Sequence, residues 1–202
     1  MNSWRTLQSG QLEVNGKVPV IGGTERARFR AQVVDRWGDI VKTDAARAGV
    51  PSAWVLGTIW AESGGNPAAK SSDGGYGLMQ LTSAGALAGH TGTETIADPA
   101  LNVRLGAEYL ARITRKGDSL VEVASRYNAG QRADGSPHPS SDQPWGYAET
   151  TGHITRVVTA ANTAVELLGR GAQGSGPTPA LPADRGALGK LALMISVIRW
   201  LR

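Results

Sequence analysis

Glu62 is the residue with chemistry to explain. In the stretch "IWAESGGNPAAKSSDGGYGLMQLT", residues 59–82, it closes an apolar run and precedes glycines and small polar residues, with a second acid at Asp73. Beside Trp60, and within reach of Trp54 and Tyr76, such a carboxyl is partly desolvated, which favours its neutral form and raises its pKa. That makes a general acid usable near neutral pH, the kind of group that protonates the leaving oxygen when a glycosidic bond breaks. Glycines at 74, 75 and 77 let backbone approach an extended polymer closely. From spacing alone a plainer reading stands beside this one: a surface Glu near a helix end followed by a loop.

The elements that must position Glu62 read as mainly helical. "QLEVNGKVPVIGG" predicts two short strands around the Asn15-Gly16 turn. Thr24 is a candidate cap for a helix to about Ala48, with Phe29, Val33, Trp37, Ile40 or Val41, and Ala45 at helical spacing, stopped by Gly49. Pro51 opens "PSAWVLGTIWAES", which ends at Gly64. Asp98-Pro99 caps "ALNVRLGAEYLARITRK", and Ser119 with Glu122 forms a capping box ahead of "VEVASRYNAG". Residues 131–144 read as loop, and a last helix runs from about Ala148 to Leu168. The expected organisation is an N-terminal arm over 1–24, a helical body over 25–169, a Gly/Pro linker over 170–186 and a basic amphipathic helix over 187–202.

Composition narrows the chemistry. With 202 residues, 41% of them apolar and 19% charged, the chain can bury one real core. It has no cysteine, which excludes disulfides, thiolate metal sites and a cysteine nucleophile. His90, His138 and His153 lack metal-ligand spacing and no HExxH motif occurs, so no metal or organic cofactor is expected. The net charge of +4 sits in the tail, where Arg170, Arg185, Lys190, Arg199 and Arg202 face Asp184 alone. The body is balanced, which argues against a nucleic-acid partner.

Four stretches stand in order: "ES" at 62–63, "GLMQ" at 77–80, "NVRLGAEYL" at 102–110 and "ASRYNAG" at 124–130. In this order and spacing they resemble the lytic transglycosylases, whose fold is shared with goose-type lysozymes. The resemblance covers about residues 45–168. It implies a mainly α, lysozyme-like domain with a substrate groove, carrying the hairpin arm and the C-terminal amphipathic helix as additions. It also implies peptidoglycan glycan strands as the partner; a monomer is expected, though nothing in the residues fixes the oligomeric state. Glu62 takes the position of the family's single acid/base, and Ser63 that of a serine that contacts substrate or steadies the acid. Tyr76 and Gly77 fall at the groove, as do Met79 and Gln80, which the resemblance expects to bind N-acetyl groups through backbone and side chain. Tyr127 and Asn128 match the "YNAG" pair, with helix packing and a cap at Gly130 as the alternative. Where the family often has a second tyrosine after "ET", "ETTGHI" places His153, either as a groove residue or as a satisfied surface histidine.

Asp73 decides the reaction type. A lytic transglycosylase needs one carboxyl and closes a 1,6-anhydro sugar without water; an inverting hydrolase needs a second carboxyl to activate water. Asp73 resembles an acid found ahead of the same motif in goose-type lysozymes, whereas the acid expected just after "GLMQ" is replaced by Thr82. An Asp-Gly-Gly turn also explains Asp73 conformationally. The balance favours non-hydrolytic cleavage, with the hydrolase and a non-catalytic wall-binding or virion-assembly protein as rivals.

"MNSWRTLQSGQLEVNG" shows no secretory signal pattern, so the chain is expected to be made in the cytoplasm. It would then reach the wall by holin release, in a virion or through injection machinery, as a phage-type lysin does. "LGKLALMISVIRWLR" would form a helix about 22 Å long, too short to span a bilayer but able to lie on an anionic membrane surface.

Overall fold

The computed structural model describes residues 3–83, 86–130 and 148–169. The expected loop over 131–144, the linker and the C-terminal helix lie outside the described residues.

Helices build the body: α1 (Gly23–Phe29), α2 (Asp35–Ala48), α3 (Ser52–Ser63), α4 (Gly92–Ala97), α5 (Pro99–Ile113), α6 (Leu120–Ala129) and α7 (Ala148–Gly169). Among the described residues no helix is long and apolar enough to cross a membrane. The caps form where local chemistry asks for them. Asp98 accepts from the backbone N–H groups of Ala100 and Leu101, and Ser119 and Glu122 complete a capping box. A second box, Thr91 with Glu94, starts α4, a stretch to which the sequence reading assigns no element.

The first long helix departs from expectation in two ways. It begins at Gly23, capped by Gly22 rather than Thr24, and a π-helical turn, Arg30–Val34, joins α1 to α2. Strict four-residue spacing explains the turn. Phe29, Val33, Trp37, Val41 and Ala45 are all buried, yet on an ideal α-helix each step of four would rotate the stripe by about 40°. A wider turn absorbs part of that drift and keeps one face on the core.

The hairpin also differs. β1 (Trp4–Thr6) pairs antiparallel with β2 (Leu12–Val14), Arg5 opposite Glu13, and the connecting turn is residues 7–11. Asn15-Gly16 does form a turn, with both φ positive, but it closes a single bridge between Val14 and Lys17. Pro19 has no N–H to extend that ladder. The arm is knitted to α7 by Asn162, which accepts from Leu12 N (2.7 Å) and donates to the carbonyls of Leu12 (2.8 Å) and Pro19 (2.9 Å). Thr163 accepts from Ile21 N, and Leu12 and Ile21 enter the core.

The α3–α7 contact matters most for the site. Gly57 faces α7 so closely that a Cβ there would lie 2.7 Å from the Val157 carbonyl and 3.0 Å from Ala161 Cβ. The two helices run antiparallel, so the end of α3 meets the first turns of α7.

Candidate active site

Glu62 lies in the last turn of α3, before the left-handed Gly64 that ends the helix. Its side chain is 18% exposed, and Nδ1 of His153 from α7 stands 3.5 Å from Oε1. Burial pushes the Glu62 carboxyl up to about 7; the Arg156 cation opposes that rise and the Asp73 charge adds to it. His153 is pushed down to about 4, by burial first and then by Arg156. Between these values both groups are neutral, so the contact is a neutral pair and not a salt bridge. His153 is therefore no surface histidine: at 2% exposure it lies under Glu62, brought there by the close approach at Gly57.

Three helices clamp the loop facing Glu62. Ser63 donates to the Leu78 carbonyl (2.7 Å) and accepts from Gly65 N. Asn102 of α5 accepts from Met79 N (2.9 Å) and donates to the Tyr76 carbonyl (2.9 Å). Tyr127 of α6 donates its hydroxyl to the Met79 carbonyl (2.6 Å). Trp37 donates its ring N–H to the Gly65 carbonyl, which holds the chain just beyond the acid. Gly77 has φ +75°, and a Cβ would lie 2.4 Å from Nδ2 of Asn102. The position therefore needs glycine both for its conformation and for space.

The expected groove residues thus divide. Ser63 is a clamp on the loop. Met79 does not line a groove with its side chain: it is fully buried, packed where a Cβ on Gly106 would lie 2.2 Å from its sulfur. An apolar side chain in a polar loop finds its place in the core, and the Met79 backbone is held there by Asn102 and Tyr127. Gln80 is left-handed at φ +46°, and its amide donates to the carbonyls of Gly77 (2.8 Å) and Ala69 (3.1 Å). Tyr76 is half-buried with its ring over Gly92 of α4. Asn128 is exposed at the end of α6.

Tyr127 links the parts. Its ring lies parallel to His153, 4° between planes at 6.2 Å, and edge-on to Tyr109 at 5.4 Å. Burial, then the nearby Glu62 charge, raises its hydroxyl pKa well above the ordinary value, so it remains a donor. Asp73 is exposed in its turn, and a hydrogen bond with Ser71 holds its carboxylate below the usual range.

The sequence reading misses two residues. Asn102 is fully buried within an apolar helix face, and a polar residue there is the signal that could have found it. Arg156 follows His153 at i+3 on α7, a spacing that places both on one face.

A family model described as a transglycosylase SLT domain matches residues 39–143, just over half of the chain, including Glu62, the clamped loop and Tyr127. The chain belongs to this family. The mainly helical, lysozyme-like body is the fold the family predicts. This SLT chain is also similar to the membrane-bound lytic murein transglycosylase E of Buchnera aphidicola subsp. Acyrthosiphon pisum (strain APS), 36% identical over 93 residues. The aligned stretch spans 42% of this chain and 42% of that protein, so less than half of the relative is represented here. His153 and α7 lie beyond the end of the family match.

Proposed function

We propose that the chain is a peptidoglycan lytic transglycosylase, cleaving the β-1,4 bond between N-acetylmuramic acid and N-acetylglucosamine with Glu62 as its one acid/base. The observation that carries this reading is a partly exposed carboxyl pushed up to about 7, beside a loop whose backbone is held from three helices. Near neutral pH Glu62 holds a proton it can give to the glycosidic oxygen as the bond to C1 breaks. The substrate's N-acetyl oxygen covers the positive carbon that results. Glu62, now a carboxylate, takes the proton from the C6 hydroxyl as O6 closes on C1. The product is a 1,6-anhydro sugar, Glu62 is protonated again, and no water is consumed.

Fixing the loop and the acid together supplies orientation in advance, since neither has to be ordered as the strand binds. Within this reading Tyr76 and Gln80, the partly exposed residues of the loop, meet the sugar, and Met79 supports them from the core. Asn128 at the end of α6, exposed, is a further substrate contact.

The hydrolytic alternative needs Asp73 as a base for water. Its exposure and its bond with Ser71 favour a turn-forming role, with an electrostatic effect on Glu62. A non-catalytic wall-binding protein would have no use for an acid held near 7. Muropeptide release from purified peptidoglycan tests the reading: wild type releases soluble products and Glu62→Gln does not. Equal release by both proteins, or none by either, would end it.

Action on the bacterial wall is the setting this family implies. We further propose a bacteriolytic use, in which residues 187–202 contact an anionic membrane surface; the basic, apolar composition of that segment supports it. Truncation before Arg170 tests this: binding to phosphatidylglycerol vesicles should vanish while wall cleavage continues. Undiminished vesicle binding would remove the tail from the account.

A further inference from the structure

We propose that His153 is the positioning residue of the acid: its Nδ1–H is directed at Oε1 of Glu62, which leaves the acid's proton on Oε2, the oxygen that meets the substrate. This inference rests on the acid/base role proposed above for Glu62.

The geometry leaves few other arrangements. Among the described residues no hydrogen bond reaches the Glu62 carboxyl, and Nδ1 of His153, 3.5 Å from Oε1, is the near polar atom. Nε2 of the same ring is buried, with no hydrogen-bond partner among the described residues. The Tyr127 hydroxyl, the other candidate donor, is committed to the Met79 carbonyl. A neutral imidazole carries one proton on one of two nitrogens. With that proton on Nε2, a buried N–H would stand unmet and the Nδ1 lone pair would face the lone pairs of Oε1. Only a proton on Oε1 would relieve this, and that would turn the acid's proton away from substrate. With the proton on Nδ1, the unmet group is a ring acceptor, and Oε1 gains a donor. Unmet buried N–H groups are the rarer arrangement in folded proteins. A contact of 3.5 Å is long for a hydrogen bond, and catalytic contacts commonly shorten once substrate is bound.

The arrangement suits a residue that must act first as acid and then as base. Oε1 is held by the same donor in both states, so the carboxyl need not rotate between its two proton transfers. The ring is itself held, parallel to Tyr127, which is fixed in turn by Met79 and by Tyr109 of α5. The groups bearing on the Glu62–His153 pair are Arg156 on α7, Tyr127 on α6 and Asp73 on the loop.

The direct test is nitrogen-15 NMR of the full chain with labelled histidine, with the His153 signal assigned as the one retained in a His90→Gln, His138→Gln double variant. The expected result is a protonated Nδ1, an unprotonated Nε2 and no titration between about pH 5 and 8; the opposite tautomer overturns the proposal. Variants add a readout that mere packing would not move. His153→Phe keeps an aromatic ring without a donor, and His153→Asn keeps a donor near the Nδ1 position. His153→Phe should lower kcat for muropeptide release about 10–100-fold with KM unchanged. The carboxylate loses its donor, so the fall in activity at high pH should move upward by about one pH unit or more. His153→Asn should recover most of the loss. Equal loss in both variants, or an unmoved pH limb in His153→Phe, contradicts the proposal. If wild type releases nothing, the reading of Glu62 fails, while the tautomer measurement still decides the geometry. It also decides alone should the variants not fold.

Discussion

Two polar side chains of α7, His153 and Asn162, are each 2% exposed and are treated in opposite ways. Asn162 has every polar atom matched, joining the arm to the helix through Leu12 and Pro19. His153 has one ring nitrogen at 3.5 Å from a carboxyl and the other with no partner among the described residues. A buried polar group that only holds the chain is worth most when fully paired. A pair left under-bonded against a partly exposed acid adds little to stability, and it keeps two groups neutral that solvent would charge. The comparison separates a polar junction of the fold from a polar site of the chemistry on one helix.

Glu62→Gln should break the second half of the comparison hardest. Loss of the acid should lower muropeptide release about 10²–10⁴-fold or more. Stability should move the other way. Glu62 is raised from 4.5 to about 7 by burial, so its contribution to wild-type stability is complete below about 4.5 and is lost as pH rises through about 7. The variant should therefore match wild type in thermal unfolding at pH 4 and exceed it at pH 8. His153, lowered from 6.5 to about 4, runs in the opposite sense: its contribution is present above 6.5 and lost as pH falls through about 4.

Asn162→Ala should break the first half. It leaves the N–H of Leu12 and two carbonyls buried without partners, at a cost on the order of 3 kcal/mol. Calorimetry should show Tm lower by roughly 6–12 °C, with the activity of the folded protein unchanged. A large loss of activity in this variant while folded would erase the distinction between junction and site.

Gly77→Ala tests the clamp between the two. Positive φ and the contact with Asn102 make any side chain costly there, and strain of this kind is worth about 1–3 kcal/mol. Activity should fall more than stability does, because the loop that shifts is the one facing Glu62. Asp73→Asn should have the smallest effect. Removing its charge lowers the Glu62 pKa, so activity at high pH should decline slightly earlier, with a rate change below about fivefold. A loss comparable to Glu62→Gln would make Asp73 a second catalytic carboxyl.

Much of this is legible in the sequence because its causes are local. Gly49, Asp98 and the Ser119–Glu122 box end or start helices through groups one to three residues away, and each acts where its residue type suggests. Glu62 is legible because an acid closing an apolar run is conspicuous. What fails to show has a non-local cause. Asn15-Gly16 is a real turn, but whether strands pair across it depends on Pro19 and on Asn162 far along the chain. "ETTGHI" gives no sign of which face His153 takes, since that follows from the approach of α7 to Gly57. Met79 looks like groove lining until Gly106 of α5 offers its side chain a place in the core.

The central claim is that one carboxyl, Glu62, breaks the glycan without water. Mass spectrometry of the muropeptides released from purified peptidoglycan tests it most directly. The account predicts products one water lighter than reducing-end muropeptides, absent with Glu62→Gln and retained with Asp73→Asn. Reducing-end products that disappear with Asp73→Asn would contradict it and make the protein a hydrolase.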